Sequence, residues 1–118
     1  MLLVSIFMPS PENRKGPTQP VFDLARCASK EIEIDLLVYG DPGIETPKET
    51  RLIFKNIQVR APKKLPGLSY FFSIRLPRRV YPLQEAIDYA AYDLIWLYQE
   101  WLYPEYRKCH PKILVTGM

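Results

Sequence analysis

Apolar residues fall in short runs divided by polar, proline-rich stretches. Leu2-Leu3-Val4-Ser5-Ile6-Phe7-Met8 is almost continuously apolar and is stopped by Pro9-Ser10-Pro11. A run of that length, apolar on both faces, predicts a strand in the middle of a parallel sheet. Beyond the polar Glu12-Asn13-Arg14-Lys15-Gly16-Pro17, Thr18 and Pro20 open a helix through residues 21–28, with Val21, Leu24, Ala25 and Ala28 on one face. Residues 33–39 alternate, then turn apolar until Gly40-Asp41-Pro42-Gly43 ends them, which completes a strand–helix–strand unit with a right-handed crossover. Leu52-Ile53-Phe54 and Ile57-Gln58-Val59-Arg60 predict one or two short extended pieces, with Ile57 and Val59 on one face. Residues 68–80 fit strand or helix equally, because Tyr70-Phe71-Phe72-Ser73-Ile74 has no clear period and Pro77 limits either. Residues 83–92 carry the spacing of an amphipathic helix, Leu83, Ala86, Ile87 and Ala90 inward and Gln84, Glu85 and Asp88 outward. A strand at Leu94-Ile95-Trp96-Leu97-Tyr98, a short helix near residues 104–108 and a last buried strand at Ile113-Leu114-Val115-Thr116 follow.

Strands alternating with helices, the strands very apolar, predict an α/β fold: a Rossmann-like three-layer sandwich with a mostly parallel sheet. The 118 residues suffice for one such domain with a core of its own. At 47% hydrophobic and 25% charged, the composition excludes disorder and a membrane span as defaults. The 12 prolines, about twice the usual share, cluster in residues 8–20, 41–47, 61–66 and 76–82 and mark those stretches as loops. The net charge of +3 is dispersed apart from Lys63-Lys64 and Arg78-Arg79, so it offers no contiguous basic face for nucleic acid. Cys27 and Cys109 lack the spacing of a metal site and read as two reduced thiols. The apolar start has no basic n-region and runs into Pro9, so it reads as a strand rather than a signal peptide, and the chain as cytoplasmic.

Three stretches, taken in order, carry a resemblance. They are Phe7-Met8-Pro9-Ser10-Pro11 through Gly16 to Val21-Phe22-Asp23-Leu24-Ala25; Ile34-Asp35-Leu36-Leu37-Val38-Tyr39-Gly40-Asp41; and Tyr92-Asp93-Leu94-Ile95-Trp96-Leu97-Tyr98-Gln99-Glu100-Trp101 with Pro111-Lys112-Ile113-Leu114-Val115-Thr116-Gly117-Met118. Together they resemble the N-terminal domain of GT-B glycosyltransferases of the large retaining family 4 type. The resemblance implies transfer of a sugar from a nucleotide-sugar donor to a hydroxyl acceptor, in a cleft between two Rossmann-like domains. This half would bind the acceptor, a saccharide or lipid-linked saccharide. A second half, with an acidic motif and basic residues for the leaving diphosphate, would bind the donor; it is not within these residues, so the chain alone is expected to be inactive, and it reads as truncated. No cofactor is implied. Members of the family often carry a histidine after the strand matching residues 94–98; here Gln99-Glu100-Trp101 stands there, and the single histidine is His110.

Candidate site residues lie where parallel α/β sheets build ligand sites, after the carboxyl ends of strands. The loop of residues 9–17 and the helix after it could face a diphosphate with backbone N–H groups, Gly16 allowing close approach and Arg14 and Lys15 adding charge; an ordinary surface loop is the competing reading. Gln99 and Glu100 follow a buried strand. Glu100 is the candidate base or acceptor-hydroxyl partner, against a helix-starting carboxylate. Trp101 and Tyr98 could stack on a sugar, whereas Trp96, inside the apolar run, reads as core. Thr116 and Gly117 end the last strand at the expected cleft, and His110, between Cys109 and Pro111, reads as part of an exposed connection. The apolar and basic residues 70–79 could touch an anionic membrane surface or a lipid-linked acceptor, against a buried segment with a solvated flank. The alternative function is a non-enzymatic flavodoxin-like or receiver-like binding module acting through a partner. A receiver needs paired acids after its first strand, where this chain has Pro9-Ser10-Pro11-Glu12.

Overall fold

The Leu-, Ile- and Val-rich runs pair side by side. The computed structural model describes residues 1–10, 18–61, 81–99, 102–109 and 113–116. Its strands are β1 (Leu2–Ser5), β2 (Asp35–Tyr39), β3 (Ile57–Arg60), β4 (Leu94–Leu97) and β5 (Ile113–Thr116). They form a five-stranded sheet of order β3-β2-β1-β4-β5 in which every neighbouring pair is parallel. The helices are α1 (Thr18–Ala28), α2 (Lys48–Ile53) and α3 (Tyr103–Tyr106), with 3-10 turns at Tyr89–Ala91 and Arg107–Cys109. This is the Rossmann-like α/β sandwich that the alternation of elements predicts. Its third strand lies beyond the second, whereas flavodoxin-like and receiver sheets place the third strand beside the first. The strand order therefore speaks against the flavodoxin-like or receiver-like alternative.

Side chains alternate across the sheet with the period of two that a strand imposes. Leu3, Leu36, Val38 and Trp96 pack with Val21 and Ala25 of α1 and with Phe54. Leu2, Val4, Leu37, Tyr39, Ile95 and Leu97 face the other way, onto Tyr81, Ile87, Tyr89, Leu102 and Tyr106. Because β1, β2 and β4 are covered on both sides, their runs must be apolar throughout, and burial of each large side chain contributes roughly 1.5–3 kcal/mol.

Several elements depart from the sequence expectations for identifiable reasons. The first strand stops at Ser5 rather than Met8, because the Ser5 hydroxyl donates to the Phe7 carbonyl (2.8 Å) and accepts from the Phe7 N–H (3.0 Å), turning the chain out of the sheet. Leu52 and Ile53 are helical, not extended, and only Phe54 is extended. Pro47 precedes that helix, Glu49 sits in its first turn and Arg51 in its last, which complement its dipole. Residues 83–92 do not form an amphipathic helix: the Ile87 N–H bonds the Gln84 carbonyl, the Tyr89 hydroxyl takes the Gln84 N–H (2.9 Å), and Asp88 is extended, so the chain curls around the Tyr89 ring. Ala86 and Ala90 are accordingly exposed.

On α1 the buried face is Val21, Phe22 and Ala25, while Leu24 is 49% exposed. The last strand is an edge strand rather than a buried one, with Val115 43% exposed and Thr116 exposed as well. Leu24 and Val115 share a cause: both border an open apolar groove of about 370 Å³ beside Trp96, with Met1, Ala28 and Ile32. Residues 68–80 lie outside the described residues.

Candidate functional site

The sheet is built outward from β1 in both directions, β2 and β3 to one side and β4 and β5 to the other. Chain segments leaving the carboxyl ends of β1 and β4 therefore diverge, and the crevice between them is where open parallel sheets bind ligands. Here the crevice is closely tied. The Tyr98 N–H bonds the Val4 carbonyl at 3.0 Å, and the Ile6 N–H donates to Gln99 Oε1 at 3.1 Å. The Leu102 N–H in turn bonds the Gln99 carbonyl at 3.1 Å, which starts the turn into α3. On the opposite flank the buried Thr50 hydroxyl donates to the Pro9 carbonyl at 2.6 Å, fixing the exit of β1 against α2.

Gln99 is 8% exposed, so burying its carboxamide requires partners. The Ile6 N–H, a donor, selects the oxygen of the amide as its partner and so fixes the orientation of the group. The nitrogen is then turned away. Phe7, one residue beyond Ile6, is 40% exposed.

Behind the carboxyl end of β2 lies a tyrosine cluster. The Tyr39 hydroxyl donates to the Pro82 carbonyl at 2.6 Å and meets the Tyr106 hydroxyl at 2.9 Å. Tyr39 and Tyr81 pack edge to face at 5.4 Å, as do Tyr89 and Tyr106 at 5.3 Å. Burial pushes the Tyr39 and Tyr106 hydroxyls well above the ordinary phenol range and raises Tyr98 too. These phenols are therefore neutral at physiological pH and serve as a rigid support rather than as bases. At the opposite, amino-terminal end of the sheet, burial and the Asp35 carboxylate, which accepts from the Tyr92 hydroxyl at 2.6 Å, raise Tyr92 likewise. A polar groove of about 450 Å³ bordered by Lys30, Glu33, Arg51 and Lys55 also lies at that end.

Of the residues singled out from the sequence, Gln99 lies in the crevice and Thr116 is exposed at the end of β5, across β4 from β1. Gly16, Arg14, Lys15, Glu100, Trp101 and Gly117 lie outside the described residues, as do His110 and residues 70–79. Trp96 is buried, as expected of a core residue. The anchoring roles of the Ile6 amide and Thr50 were not foreseen. A Pro-Lys-Glu start before Thr50 was a readable helix signal, but its bond to Pro9 spans 41 residues and has no local trace. Cys27 is an exposed free thiol on α1. Among the described residues there is no group of three or more His, Cys, Asp or Glu that could hold a metal, and no helix long and apolar enough to cross a membrane. No family model, no curated protein and no solved structure matches the chain.

Proposed function

We propose that this chain is the acceptor-side domain of a glycosyltransferase of GT-B type, which transfers a sugar from a nucleotide-sugar donor to a hydroxyl acceptor. The observation that carries the reading is the reversal of strand order between β1 and β4, with the buried Gln99 carboxamide held by the Ile6 N–H at the crevice it creates. An all-parallel sheet with a crevice at that position is compatible with an acceptor domain of this kind, as with other Rossmann-like domains, and the order of elements along the chain supports the reading. Glu100, one residue beyond Gln99, is the candidate base for the acceptor hydroxyl. Trp101 is the candidate surface for the sugar ring, and Thr116 and Gly117 would border the acceptor from the β5 side. Arg14, Lys15 and Gly16 would meet the diphosphate of a donor held mainly by a second domain. The partners of the chain on this reading are the acceptor, the donor-binding domain and, through residues 70–79, an anionic membrane surface.

Stabilisation of the departing diphosphate is commonly a dominant contribution to the rate, so the chain by itself should turn over slowly. The test is transfer from radiolabelled UDP- and GDP-sugars. It compares the native protein, isolated with any continuation beyond Met118 or any co-purifying α/β subunit, with the 118-residue chain. Transfer by the native assembly, lower by about 100-fold or more for the chain alone, is expected. Equal rates, or no transfer by the native assembly, would contradict the proposal.

A further inference from the structure

We draw no further inference here: the strongest candidate, the open apolar groove of about 370 Å³ that Leu24 and Ala28 of α1 form with Trp96 of β4 and Val115 of β5, carries nothing, because nothing in the structure shows what covers it.

Discussion

At the scale of single residues, the buried Tyr39 hydroxyl holds the Pro82 carbonyl and meets Tyr106. Tyr39→Phe leaves both partners short of a bond in a buried place, and urea denaturation should show a loss of about 1–3 kcal/mol. The same cluster sets a pH dependence. The folded chain holds Tyr39 and Tyr106 neutral by burial, so their folded pKa values lie above the unfolded value of about 10. Their contribution is complete below that pH and declines as pH rises above it, because the unfolded chain then binds fewer protons than the folded one. Denaturation midpoints should fall as pH rises above about 10, and the double variant Tyr39→Phe, Tyr106→Phe should flatten that fall. This cluster was not legible in the sequence, since Tyr39, Tyr81, Tyr89 and Tyr106 are brought together only by the fold. Gln99 was legible because its place follows from the end of an apolar run; the orientation of its amide depends on Ile6, 93 residues away, and was not.

At the scale of elements, the sequence period placed α1 correctly but rotated it. The stripe Val21, Leu24, Ala25 and Ala28 is a sound helical face, yet α1 turns Phe22 inward, 2% exposed, and leaves Leu24 beside the open groove. A helical wheel records which residues share a face but not what the sheet offers beneath it. Leu24→Gln should therefore change stability by less than about 0.5 kcal/mol, whereas Phe22→Ala should cost about 3–5 kcal/mol, both read from thermal or urea melts. The short α2 escaped because the apolar Leu52-Ile53-Phe54 read as extended, whereas the helix spans Lys48–Ile53 and only Phe54 is extended. Residues 83–92 were misread for the converse reason: the apolar spacing was helical, but the Ile87 N–H closes a tight turn onto the Gln84 carbonyl and Asp88 is extended, which breaks the helical path. Thr50→Val, which keeps the shape of α2 and removes its bond to the Pro9 carbonyl, should lower stability by about 1–2 kcal/mol. It should also speed amide exchange in residues 6–10, measured by hydrogen–deuterium exchange.

At the scale of the molecule, the parallel sheet was readable because β1, β2 and β4 are apolar on both faces, which only a strand covered on both sides tolerates. The order of the strands was not, since period and composition are the same whichever neighbour a strand takes. That order creates the crevice at the carboxyl ends of β1 and β4, and the functional proposal depends on it. The most direct measurement is a map of backbone amide shifts across the whole chain during titration with a library of neutral saccharides. Shifts gathered at Ile6, Phe7, Tyr98 and Gln99 are expected. Shifts gathered instead at the amino-terminal end, around Glu33 and Lys55, or in the apolar groove at Leu24 and Val115, would contradict a ligand site at the reversal of strand order.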